Sequence, residues 1–162
     1  MNADDCESCG LGRYQDQQGQ ATCFPCIPGF FASDLGAAAC RECSKNTFVG
    51  EKAYDKECTE CPIGFATKKT GSASCVACPG GTYGRGCQLC PQGKARNGTD
   101  PQAHTCHQCK IGETTKTLGS PACSQCDLGK KGTVPGECHN CDAGQYQGNL
   151  SGFVLCRCCF VH

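Results

Sequence analysis

The chain holds 162 residues, of which 21 are cysteine, 22 glycine and 8 proline. Leu, Ile, Val and Phe together make up only about an eighth of it and Trp is absent, so an ordinary hydrophobic core is excluded and covalent or metal cross-links must replace it. Fifteen basic residues balance fifteen acidic ones; no stretch is basic enough to follow a nucleic-acid backbone, and no apolar run approaches the ~20 residues of a membrane helix.

Read from the N-terminus, the chain is one motif repeated. Cys-x-x-Cys stands at 6/9, 23/26, 40/43, 58/61, 75/78, 87/90, 106/109, 123/126, 138/141 and 156/159, with Cys158 as the one extra cysteine. The intervals between doublets stay close to 13 residues, apart from a shortened one after Cys78. Self-similarity at a fixed period is the signature of a repeat architecture. The repeats are placed at residues 9–25, 26–42, 43–60, 61–77, 78–89, 90–108, 109–125, 126–140 and 141–159, nine in all over the chain 1–162.

Each repeat carries the same marks. Three residues past the second cysteine stands Gly12, Gly29, Asn46, Gly64, Gly81, Gly93, Gly112, Gly129 or Gly144. The single non-glycine is asparagine, the residue that next best tolerates a left-handed backbone, so a tight turn with positive φ is expected there. Two residues further on, five of the nine repeats carry an aromatic, Tyr14, Phe31, Phe48, Tyr83 or Tyr146, expected to pack on its own disulfide, and the others Ala66, Ala95, Thr114 and Lys131. A second glycine lies four residues before the closing cysteine at Gly19, Gly36, Gly71, Gly119 and Gly152. Segments this short, with two turns each, leave room for two very short strands and no useful helix. The helix-friendly stretch 33–39 is broken by Gly36 and reads as loop.

Three chemistries compete for the cysteines. Four-thiolate zinc sites use similar spacing, but they need doublets grouped in twos, and alternate intervals here do not differ. Redox-active pairs need a helix N-terminus inside a strand–helix–strand unit, and none is expected. Disulfides fit the uniform rhythm, and two glycosylation sequons, at Asn97 and Asn149, agree with a secreted surface. Two connectivities stay open. A ladder would join Cys9–Cys23, Cys26–Cys40, Cys43–Cys58, Cys61–Cys75, Cys78–Cys87, Cys90–Cys106, Cys109–Cys123, Cys126–Cys138 and Cys141–Cys156, leaving Cys6, Cys158 and Cys159 over. A crossed pattern would lock doublets in twos. Equal marks in every segment favour the ladder, since no segment looks like a connector.

The run Cys26-Ile27-Pro28-Gly29-Phe30-Phe31, and Cys78-Pro79-Gly80-Gly81-Thr82-Tyr83 after it, resembles the ephrin-receptor-like cysteine-rich repeat. That family is akin to the growth-factor-receptor and tumour-necrosis-factor-receptor cysteine-rich modules. The resemblance covers nearly the whole chain except its tail, residues 156–162. It implies the extracellular region of a receptor or large surface protein, built as a rod of small disulfide modules.

The expected fold is small and disulfide-rich: an elongated rod of short turn-and-strand repeats, almost without helix and without a common hydrophobic core, in which neighbouring repeats contact mainly each other. No nucleophile motif, phosphate loop or recurring carboxylate pair appears, so no catalytic residue, metal ligand or cofactor is expected. His104, His107, His139 and His162 read as exposed side chains, and Lys68-Lys69 and Lys130-Lys131 as solvated charge. The first residues lack the apolar segment of a signal peptide, so the chain is expected to be a slice of a longer protein. The expected role is a spacer or protein-interaction segment of a secreted or cell-surface protein, with an extracellular protein ligand as partner class. The alternative is an intracellular zinc-binding scaffold with four-cysteine sites.

Overall fold

The computed structural model describes residues 6–51, 56–99, 104–150 and 153–158, the stretch from 146 onward for its backbone alone. It divides into two units, Met1–Ala77 and Cys78–His162. Both are built from one element, a two-stranded antiparallel hairpin, and no helix occurs among the described residues.

In the first unit β1 (Arg13–Tyr14) pairs β2 (Phe24–Pro25), β3 (Phe30–Phe31) pairs β4 (Arg41–Glu42), β5 (Thr47–Phe48) pairs β6 (Thr59–Glu60), and β7 (Phe65–Ala66) pairs β8 (Val76–Ala77). In the second unit β9 (Thr82–Tyr83) pairs β10 (Gln88–Leu89), β11 (Lys94–Ala95) pairs β12 (His107–Gln108), β13 (Glu113–Thr114) pairs β14 (Ser124–Gln125), and β15 (Lys130–Lys131) pairs β16 (His139–Asn140). A longer hairpin of β17 (Gln145–Leu150) and β18 (Phe153–Cys158) follows. Through β16, every second strand is the x-x of a Cys-x-x-Cys doublet.

The turn that launches each hairpin is dictated by the glycine. In the first repeat the amide of Arg13 donates to the carbonyl of Gly10 at 3.1 Å, and Gly12 between them has φ 71°. Positive φ at the third residue of a four-residue turn is the type II requirement, which a Cβ opposes. The bond recurs as Phe30 to Ile27, Thr47 to Ser44 and Phe65 to Pro62 in the first unit, and as Thr82 to Pro79, Lys94 to Pro91, Glu113 to Lys110, Lys130 to Asp127 and Gln145 to Asp142 in the second. At Asn46 the same conformation is carried without glycine, at φ 68°.

Eight disulfides are described: Cys9–Cys23, Cys26–Cys40, Cys43–Cys58, Cys61–Cys75, Cys78–Cys87, Cys90–Cys106, Cys109–Cys123 and Cys126–Cys138. Each joins the second cysteine of one doublet to the first of the next, which is the ladder. Closing a loop of this size is worth about 3 kcal/mol in the chain-entropy account. Cys141 is also disulfide-bonded; Cys156, Cys158 and Cys159, and with them the expected Cys141–Cys156 pair, lie outside the described side chains. Cys6 is exposed and free.

Hydrophobic burial is confined to small side chains. Among the described residues the buried apolar set is the second cysteine of eight doublets together with Ala32, Val49, Ala66 and Ala95. Phe24, Leu35, Leu118 and Leu128 are exposed. No common core forms, and backbone bonds between consecutive repeats supply the cohesion instead. The amide of Gly12 donates to the carbonyl of Ala32 and that of Gly29 to the carbonyl of Val49, both at 2.9 Å. In the second unit Gly81 donates to the Arg96 carbonyl at 2.7 Å. Twice a threonine hydroxyl is the acceptor: Asn46 donates to Thr67 Oγ1 at 2.7 Å and Gly93 to Thr115 Oγ1 at 2.9 Å.

Contacts also reach past the immediate neighbour. Within each unit a turn glycine also meets the loop glycine two repeats on: Gly29 meets Gly71, Gly81 meets Gly119, and Gly93 meets Gly136. The approach is so close that a Cβ on Gly93 would lie 2.6 Å from the Gly136 oxygen. Glycine at both places lets the backbones touch, a reason for glycine separate from turn geometry.

Candidate interaction surface

The doublets are extended, and this decides their chemistry. A strand advances about 3.3 Å per residue, so cysteines three apart along it are separated by roughly 10 Å and cannot share one zinc ion, whose thiolates each sit about 2.3 Å from the metal. The two cysteines of a doublet are bonded to different partners, one behind and one ahead. Among the described residues no group of three or more His, Cys, Asp or Glu is placed to hold a metal ion. The cysteines pair as disulfides.

His104, His107 and His139 are exposed, and His139 Nε2 lies 3.3 Å from Glu137 Oε2; His162 lies outside the described residues. Asn97 is exposed, and its Oδ1 accepts the amide of Thr99 at 3.2 Å, closing a local turn over the sequon. The Asn149 side chain lies outside those described. Lys68 and Lys69 are exposed. Lys131 departs from the expectation of solvated charge: it is half-buried and donates to Asp142 Oδ2 at 2.8 Å. Lys116 pairs with Asp127 at 2.8 Å in the same manner. Hydrogen bonding from the lysine, then its positive charge, holds each of these carboxyl groups below its ordinary pKa.

The aromatics do not behave uniformly. Tyr14 faces Phe24 across the first hairpin, with ring centroids 6.1 Å apart. The position sequence reasoning missed is one residue further on, six past the second cysteine. It is buried in six of the eight repeats whose side chains are described there, as Ala32, Val49, Thr67, Arg96, Thr115 and Gly132, and half-buried in the other two, as Gln15 and Gly84. Arg96 is the exception in chemistry: only 3% exposed, it donates from Nη1 to the Thr82 carbonyl at 2.7 Å and to that of Pro79 at 3.3 Å. It ties the shortest repeat to its successor. A signal was present only as an alternation of small residues with threonine, too varied to read as a motif.

The surface offers shallow recesses. One, of about 570 Å³, is lined by Thr114, Lys116, Asp127, Lys130, Glu137 and His139. Its charges are mixed and largely paired with one another. No nucleophile–base pair is assembled in it.

Comparison with known families supports the same reading of the repeats. The family of description "Tyrosine-protein kinase ephrin type A/B receptor-like" matches residues 1–39 and 29–74. Residues 1–74 are thus similar to the ephrin-receptor-like repeat. Beyond residue 77 the same hairpin, turn glycine and disulfide spacing continue through Cys138.

The chain is 36% identical over 76 residues to the mouse protein named "Sushi, von Willebrand factor type A, EGF and pentraxin domain-containing protein 1", covering 46% of this chain and 2% of that one. It is 32% identical over 78 residues to the human "Signal peptide, CUB and EGF-like domain-containing protein 2", covering 48% of this chain and 6% of that one. A zebrafish protein of the latter name is 28% identical over 81 residues, 8% of its length. The chain thus spans only a small part, 2% to 8%, of the length of these curated relatives.

Proposed function

We propose that the chain is a non-catalytic, cysteine-rich repeat segment of a secreted or cell-surface protein, holding neighbouring parts apart or contacting an extracellular protein. The observation that carries this reading is the disulfide ladder. Eight bridges, each closing one hairpin repeat, stand where a core would be, and such a scaffold is characteristic of an oxidising compartment. The names of the matched relatives, which include a signal peptide and EGF-like domains, agree with an extracellular setting. No helix among the described residues is long and apolar enough to cross a membrane. Carbohydrate on Asn97, which is exposed on a turn, belongs to the same reading.

The test is intact mass of the chain secreted from a eukaryotic host, with and without reductant. Disulfides add about 2 Da per bridge on reduction, and a glycosidase removes the Asn97 glycan. Free thiols with chelatable zinc in the native chain would overturn the reading in favour of an intracellular zinc scaffold.

A further inference from the structure

Among the eight described bridges, Cys78–Cys87 is set apart by its backbone. Its cysteines are 9 residues apart in sequence, against 12 to 16 in the other seven. Cys87 has φ 56°, and it shares the left-handed region with only one other non-glycine among the described residues, Asn46. Asparagine tolerates that region through its short polar side chain; cysteine has no such compensation. Gly84 and Gly86, both at positive φ, bring the chain around to reach it. The Cα atoms are drawn to 5.2 Å, where the others stand at 5.7 to 5.8 Å. The short turn between the paired strands β9 and β10, closed by the bridge, holds Cys87 in this conformation.

We infer that Cys78–Cys87 is the redox-labile bridge of the chain, opened by a dithiol reductant of the Cys-x-x-Cys protein or small-molecule class while its neighbours stay closed. This rests on the disulfide-bonded extracellular reading. Cys78 is 2% exposed and Cys87 half-buried, so the reductant thiolate attacks Cys87 Sγ. The protein S–S bond breaks, a mixed disulfide forms on Cys87, and Cys78 leaves as thiolate and takes a proton. The reductant's second thiolate then attacks its own sulfur in the mixed disulfide. Cys87 is released and protonated, the reductant is oxidised to its disulfide, and two electrons have entered the protein.

The reduced state has support already in place. The Gly84 carbonyl oxygen lies 3.8 Å from Cys78 Sγ, positioned to accept the new thiol proton. The repeat stays anchored without its bridge, because Arg96 holds the carbonyls of Pro79 and Thr82 and Gly81 donates to the Arg96 carbonyl. Relaxing a left-handed non-glycine residue favours opening by about tenfold. The shorter loop favours closure by only about twofold, from the three-halves power of loop length. The backbone term wins.

The experiment equilibrates the oxidised full chain in buffers of graded reduced to oxidised dithiothreitol, quenches with acid, alkylates free thiols and maps peptides. Cys78–Cys87 is expected to open at a reductant ratio roughly fivefold to tenfold below that of the next bridge, with the other bridges intact. A variant with Ser-Gly inserted between Gly84 and Arg85 lengthens the loop, frees Cys87 from the left-handed region and is expected to bring this bridge into line with the rest. Opening of all bridges together, or of another bridge first, would overturn the inference while leaving the disulfide reading intact. So would an insertion variant as labile as the parent. Free thiols at Cys78, Cys87 and the other bridged cysteines before any reductant is added would overturn both.

Discussion

Gly81 and Gly119 touch backbone to backbone: the carbonyl of Gly119, from the loop two repeats on, occupies the space that a Cβ on Gly81 would need. Gly81 is also at φ 80° and donates its amide to Arg96. Gly144 shares the conformation, at φ 81°, with nothing among the described residues within 4 Å of its Cβ position. The two residues separate turn strain from packing. Gly144→Ala is expected to cost about 1 kcal/mol, and Gly81→Ala at least about twice that. Thermal unfolding of the two oxidised variants makes the comparison, and equal losses would deny the glycine contact its energetic role. Peptide mapping of Gly81→Ala should find disturbed bridges near Cys78 and Cys90, with distant ones intact.

Asn46 tests the turn conformation from the other direction. Its φ is 68°, its amide donates to Thr67 Oγ1, and its buried Oδ1 has no hydrogen-bond partner among the described residues. Asn46→Gly is expected to be neutral or slightly stabilising, because it relieves the left-handed backbone and removes the orphan oxygen. Asn46→Ala keeps the strain without asparagine's tolerance and should lose about 1 kcal/mol. Identical melting temperatures for the two would remove the conformational argument.

The hydroxyl of Thr115 is a structural acceptor. Thr115 is 1% exposed and receives the Gly93 amide at 2.9 Å. Thr115→Val preserves shape and orphans a buried N–H, at an expected cost of about 1–3 kcal/mol. Thr115→Ser keeps the acceptor and should lose less. If Val is tolerated as well as Ser, the bond contributes nothing. Amide exchange at Gly93 is the local readout, and it should accelerate in the Val variant alone.

Arg96 carries a different cost. Its guanidinium is buried and serves two carbonyls of the preceding repeat. Arg96→Ala leaves both carbonyls without that donor and opens a void, an expected loss of about 3 kcal/mol. Arg96→Lys supplies charge without the planar fork and is expected to fall between Ala and the parent. Full stability in the Ala variant would show that solvent replaces the guanidinium.

The lysine pairs predict an acid dependence. Lys116 holds the Asp127 carboxyl below its ordinary pKa, and Lys131 does the same for Asp142. A carboxyl whose folded pKa is depressed adds stability that is complete above the unfolded value and fades as pH falls through the folded one. Both carboxyls are solvent-exposed, so the effect on stability is small. The clean readout is side-chain NMR titration: Lys116→Met should move the Asp127 midpoint upward toward the ordinary carboxylate range and leave Asp142 unchanged. An unmoved Asp127 midpoint would reject the assigned cause.

The repeat and its left-handed turns were legible in the sequence because they depend on residue type. Only glycine, with one asparagine, accepts positive φ cheaply, so Gly12 through Gly144 mark the turns wherever they occur. The ladder was legible as a preference only, since spacing alone also allowed doublets locked in twos. Tertiary structure decided the pairing through the strand conformation of each doublet, which directs its two cysteines to different loops. It alone decided the buried position held by Ala32, Val49, Thr67, Arg96, Thr115 and Gly132. These share no chemistry that a motif could record. What they share is a place where the next repeat's backbone or hydroxyl meets the turn amide or backbone of the one before, and such a place exists only once the hairpins are stacked.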